Sequence, residues 1–265
     1  MIPTQLANEW IFWIAVNGLP ALLTAVLFLT TTWLDKNFGW NIPKRGVAIG
    51  LGLGFLMRSV MYVQQLSAAW AGNYAAMKWL HLGNAVFTVV LLGSTCIWGD
   101  KFHWRRLFAI GWLFLYVEEP VWTLTLWPRS EDALLHSASF LDAVTPVNPL
   151  LGGVLFLEAA IMLVVGIILF ANRPGVVYPQ PDTMSAKVLA GWPLSYVVWA
   201  PTLALSGFAA AWGGIIVNMI WLAAWIVAML IFRKHFDLAH RSNKIWLGVC
   251  AVLLVLLSVG LVVQG

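Results

Sequence analysis

WGGIIVNMIWLAAWIVAMLIF, residues 212–232, decides the fold. It carries no charged side chain and a single amide, Asn218, and Arg233 and Lys234 end it at once. About 20 mostly apolar residues cross the hydrocarbon of a bilayer as a helix. The two-residue alternation of a barrel strand is absent. In hydrocarbon the backbone must satisfy its own hydrogen bonds, so a run of this kind is read as a membrane helix.

The same signature recurs in both directions from this segment. Of 265 residues, 61% are hydrophobic and only 10% are charged. About eight candidate spans follow one another, roughly 10–32, 46–66, 79–98, 107–127, 150–171, 188–209, 212–232 and 245–264. The joint between 188–209 and 212–232 is blurred by PLSYVVWAP and SGFAAAWGG. The expected fold is therefore all-α, a polytopic bundle of about eight transmembrane helices forming one integral membrane domain over residues 1–265.

Basic residues set the orientation. Twelve of the 15 Lys and Arg fall in alternate connections, at 33–45, 99–106, 172–187 and 233–244. The intervening connections hold only Lys78 and Arg129, and Arg58 lies inside a span. The basic connections are expected on the cytoplasmic side, with the N- and C-termini outside, in a multi-pass protein of the plasma membrane. This bias accounts for the pI of about 9.2 without a nucleic-acid partner. MIPTQLANEW has no basic leader and carries Glu9, so the first helix is expected to stay in the mature protein. Trp10, Trp33, Trp104, Trp127 and Trp192 lie near span ends, as interfacial anchors do.

Two connections stand out. PRSEDALLHSASFLDAVTPVNP, 128–149, spaces Leu134, Leu135, Phe140, Leu141 and Val144 as one helical face. It is expected to form a short amphipathic segment on the outer face, as a cap, a lid, or a docking surface for a protein partner. NRPGVVYPQPDTMS, 172–185, is rich in turn formers and is expected to loosen one half of the bundle from the other. No internal repeat relates the two halves, which weighs against a duplicated transporter. Cys96 and Cys250 fall near the reducing side and form no CxxC pair.

The chemistry is expected where charge enters hydrocarbon. LYVEEPVWTL, 115–124, puts Glu118 and Glu119 before Pro120 inside a span. At 1.5 Å per residue, Glu118, Arg58 and Glu158 each lie roughly 17–18 Å from the cytoplasmic side. A charge at mid-membrane costs about 2.5–3.5 kcal/mol on insertion scales. One arginine cannot neutralise three carboxylates, so at least one of Glu118, Glu119 and Glu158 is expected to hold a proton near neutral pH. Pro120 removes a backbone donor and provides a kink that could aim both adjacent carboxyls at one cavity. Asn17, Asn84 and Asn218 lie roughly 8–10 Å below the outer surface. That outward bias suggests a cavity opening outward. Trp122 and Tyr116 supply aromatic faces beside the acids.

Absences narrow the field. His81 is the one histidine near membrane depth, which disfavours bis-histidine haem and histidine-rich metal sites. No HExxH, GxSxG, P-loop or GxGxxG is present. GLGLGF, 50–55, is expected to let helices approach closely. No cofactor or metal is called for. The leading functional expectation is a membrane enzyme performing acid–base chemistry (protonation, isomerisation or cyclisation) on a lipophilic, isoprenoid-like or lipid-like substrate. Arg58, Glu118, Glu119 and Glu158 would be its catalytic set, with Trp122, Asn84, Asn17, Asn218 and Tyr116 shaping the pocket. A proton-coupled transporter and a non-catalytic membrane subunit are the alternatives.

Overall fold

The computed structural model describes residues 18–71, 74–111 and 145–265. Glu118, Glu119, Tyr116, Trp122, Asn17 and nearly all of the 128–149 segment lie outside the described residues. Within them the chain is all-helical. In order come α1 (Gly18–Thr30), α2 (Trp33–Asn37), α3 (Arg45–Trp70) and α4 (Tyr74–Ile97). A 3₁₀ turn (Gly99–Lys101) follows, and helix begins again at residues 107–111. Then come α5 (Pro149–Ala171), α6 (Thr183–Leu205), α7 (Phe208–Ile231) and α8 (Arg241–Gln264).

Among the described residues, five helices are long and apolar enough to cross a membrane: the Trp79–Ile97 part of α4, and α5, α6, α7 and α8. Their outward faces are apolar as well; Val262 is 82% exposed and Val89 70%. A water-soluble bundle would not present such continuous apolar walls. The chain is therefore a helical, polytopic membrane protein.

Local chemistry fixes the ends. Asn148 caps α5 by accepting from the Leu151 N–H at 2.8 Å, with Pro149 in the first turn. Asn172 closes α5 in the left-handed region, at φ 48°. Asp182 caps α6 by accepting from the Ser185 N–H at 3.0 Å. The blurred joint between α6 and α7 is only Ser206 and Gly207; Gly207 has φ 79°, which a Cβ would strain.

Helix α6 is the centre of the described bundle, packing on α3, α4, α5 and α7. One core joins Tyr196, Trp199 and Leu203 of α6 to Leu155 and Met162 of α5 and Ile215 of α7. A second gathers Phe28, Phe38, Trp40, Phe55, Phe87 and Trp192. Close approach through GLGLGF is as expected. A Cβ on Gly52 would lie 2.8 Å from Phe28, and one on Gly54 would collide with the Trp192 ring.

Two expectations are corrected. Trp192 is not an interfacial anchor: it is 3% exposed and packs on Phe55 and Phe87, because Gly54 leaves room for its ring. Trp33 and Trp104 are about half exposed, as anchors would be. The 172–185 connection is not a loose linker. Gln180 Nε2 donates to Asn172 Oδ1 at 2.5 Å, the Tyr178 N–H donates to Ser242 Oγ at 3.2 Å, and the Tyr178 ring stacks on His240.

The other basic connections are equally tied. Arg45 pairs with Asp35 at 3.0 Å, and Arg106 donates to the Phe38 carbonyl at 2.8 Å and to Asn41 Oδ1 at 3.0 Å. Trp40 Nε1 donates to Ser185 Oγ at 2.9 Å, joining this layer to the start of α6.

Candidate functional site

The site is built on four helices that meet at one level. Glu158 lies on α5, Tyr196 on α6, Asn218 on α7, and Met57 and Arg58 on α3. Each of the five is buried. The Tyr196 hydroxyl donates to Asn218 Oδ1 at 2.9 Å, and Asn218 Nδ2 donates to Glu158 Oε2 at 2.5 Å. The same hydroxyl lies 3.9 Å from Met57 Sδ. Glu158 Oε1 has no hydrogen-bond partner among the described residues. A buried carboxyl oxygen without a partner forfeits about 1–3 kcal/mol, which makes Glu158 a candidate for chemistry.

Of the sequence candidates, Glu158 and Asn218 are brought into direct contact. Glu158 is not ion-paired with Arg58. The Arg58 guanidinium instead lies over the Phe87 ring of α4, 5.3 Å from its centroid. Asn84, also on α4, is fully buried, and neither end of its amide has a hydrogen-bond partner among the described residues. The five candidates that lie outside the described residues, Glu118, Glu119, Tyr116, Trp122 and Asn17, carry no geometry here.

Tyr196 and Cys250 are site neighbours that the sequence did not single out. Tyr196 sits inside PLSYVVWAP, one turn after Pro193, where its hydroxyl was the available signal. Cys250 of α8 is buried in the same core as Tyr196. Its thiol is free.

A cavity of about 860 Å³ lies beside this cluster, bounded by α3, α5, α6, α7 and α8. Ligand-sized pockets run from about 300 to 1,000 Å³. Its deep wall is aromatic: Trp192, Trp221, Trp225 and Trp246. Tyr196 stacks on Trp221 at 5.8 Å, so one aromatic layer separates the cavity from the Tyr196–Asn218–Glu158 chain. Glu158 itself is not on the cavity wall. The rim is polar and comes from the connections: Tyr178, His240, Arg241, Ser242 and Asn243. These rim residues lie on the side carrying the basic connections.

Among the described residues, no group of three or more His, Cys, Asp or Glu could hold a metal ion. The donor set is instead one carboxyl, one amide and one phenol. It can hold and pass a proton, and it can hydrogen-bond a polar atom in an apolar setting.

The fold and this cluster define the class: a multi-pass α-helical membrane protein with a buried carboxyl beside a large apolar cavity. No family model, curated protein or solved structure matches the chain.

Proposed function

We propose that this membrane protein takes a lipophilic small molecule into the Trp-lined cavity and acts on it by acid–base chemistry in which Glu158 exchanges a proton. The observation that carries the reading is the Glu158 carboxyl: one oxygen is held by Asn218 and the other is buried without a partner among the described residues, next to a cavity of ligand size. Asn218 orients the carboxyl, and Tyr196 orients Asn218 by donating to its carbonyl. The apolar wall excludes water from a reactive intermediate and supplies aromatic faces to a developing cation. Protonation, isomerisation or cyclisation of an isoprenoid-like or lipid-like substrate fits this equipment.

A second reading is a proton-coupled carrier. It is favoured by the aromatic layer between Glu158 and the cavity, because an enzyme acid must reach its substrate and a carrier's proton site need not. In the enzyme reading, Trp221 and Tyr196 must move aside for the carboxyl to reach the substrate.

The test uses the full-length protein purified with its bound lipophile, which mass spectrometry identifies. The protein is then reconstituted with that compound in deuterated water. The enzyme reading expects solvent deuterium at carbon in the compound, with the rate falling about 100-fold or more in Glu158→Gln. The carrier reading expects no deuterium at carbon, but movement of the compound driven by a pH difference and lost in the same variant. Exchange or movement at an equal rate in wild type and Glu158→Gln rejects the role of Glu158.

A further inference from the structure

We propose that the cavity admits one chemical class of lipophile: an anionic membrane amphiphile, entering sideways from the leaflet on the basic side, its hydrocarbon between α5 and α8 and its head group at Arg241. This rests on the reading of the cavity as a lipophile site and adds the entry route and the head-group charge.

The route follows from how α5 and α8 meet. At one end they are bonded: Asn148 Nδ2 donates to the Gly260 carbonyl at 2.9 Å, and the Asn148 N–H donates to Gln264 Oε1 at 2.7 Å. Leu151 packs so closely on Gly260 that a Cβ there would lie 2.9 Å from it. Toward the other end both helices instead line the cavity, α5 through Val164 and Ile168 and α8 through Ile245 and Val249. Val164 is 56% exposed and Ile245 55%, so the wall continues onto the surface that faces lipid. Hydrocarbon can pass between the helices there without crossing water.

The head-group charge follows from the rim. Among the described residues that line the cavity, Arg241 is the one formally charged side chain, and no carboxylate accompanies it. Arg241 is exposed and makes no ion pair among the described residues. The neighbouring rim is held in place: His240 Nδ1 and Ser242 Oγ are 2.8 Å apart, and Tyr178 stacks on His240. A fixed polar rim with one unpaired cation above an apolar hole is complementary to an anionic head on a hydrocarbon tail. A neutral hydrocarbon would leave Arg241 unused, and an anion without a tail would leave the cavity empty.

The experiment measures tryptophan quenching by brominated acyl chains, since four cavity residues are Trp. Full-length protein is placed in phosphatidylcholine vesicles containing a minor fraction of either brominated phosphatidylglycerol or brominated phosphatidylcholine. The proposal expects stronger quenching by the anionic lipid, with a relative affinity of about fivefold, the scale of one basic residue at an anionic head group. Arg241→Gln, on the exposed rim, should make the two lipids equal. Val164→Phe with Val249→Phe, which narrows the gap, should lower quenching by both. Equal quenching by the two lipids in wild type, with the narrowed variant still protected, overturns the anionic class and leaves the cavity as a lipophile site. Quenching unchanged in the narrowed variant overturns the lateral route and the cavity reading together.

Discussion

Replacing Asn218 with Leu tests the buried chain directly. The change keeps the side chain near its original size and removes two hydrogen bonds at once. Glu158 Oε2 loses its donor and the Tyr196 hydroxyl loses its acceptor. Side-chain hydrogen bonds between membrane helices average about 0.6 kcal/mol and reach about 1.7. A buried polar group left unpaired costs about 1–3 kcal/mol. Two lost bonds with two stranded groups put the destabilisation at about 2–4 kcal/mol. Glu158→Gln should cost only about 0.5–1 kcal/mol, because its amide oxygen still accepts from Asn218 Nδ2. Tyr196→Phe strands one acceptor and should fall between them. Combined with Asn218→Leu it should add little, since both changes break the same bond. Reversible unfolding of the purified protein in mixed micelles, followed by tryptophan fluorescence, supplies the numbers. If Asn218→Leu is as stable as wild type, or if Glu158→Gln costs as much as Asn218→Leu, the hydrogen-bonded chain is not what holds α5, α6 and α7 at this level.

Further outcomes can be read in simpler assays. Gly54→Leu should lower thermal stability by about 1–3 kcal/mol because its side chain must displace the Trp192 ring. Gly93→Leu, with nothing within 4 Å of the new Cβ, should be close to silent in the same melt. A maleimide should label exposed Cys96 in the folded protein and reach buried Cys250 only after denaturation; equal labelling would contradict the packing of α8. Burial pushes the Asp35 carboxyl up from its ordinary value of 3.8, outweighing the opposing charge of Arg45. The folded state therefore binds the Asp35 proton more tightly than the unfolded state, and its contribution falls as pH rises from 3.8 through the raised value. Asp35→Asn should flatten that part of the stability profile.

The helices were legible because the membrane imposes a long, unbroken apolar run on each span. Residues 212–232 and 245–264 show this most plainly, and α7 and α8 run almost as expected. The joint at Ser206–Gly207 was hard to place because small residues occur on both sides of it, and only the positive φ of Gly207 distinguishes the turn. Trp192 was misplaced because an anchor and a core ring look alike near a span end; the difference lies on α3, in the space left by Gly54. Glu158 and Asn218 were both visible as polar residues in hydrocarbon at similar depth. Their pairing was not, because depth fixes height along the membrane normal but not rotation about each helix. The cavity was illegible for a related reason. Its walls come from five helices and two connections, and each contributes residues that read alone as ordinary apolar packing.

The two-residue joint between α6 and α7 also bears on how the chain is made. α6 contains Pro193 and Pro201, and its mean hydropathy is 1.4, against 2.3 for α7. With only Ser206 and Gly207 between them, one helix cannot remain in water while the other completes its crossing. A joint this short favours entry of the two into the bilayer as a hairpin, with the more apolar α7 helping in the less apolar α6. The central helix of the described bundle would then owe its place in the membrane to the segment synthesised immediately after it.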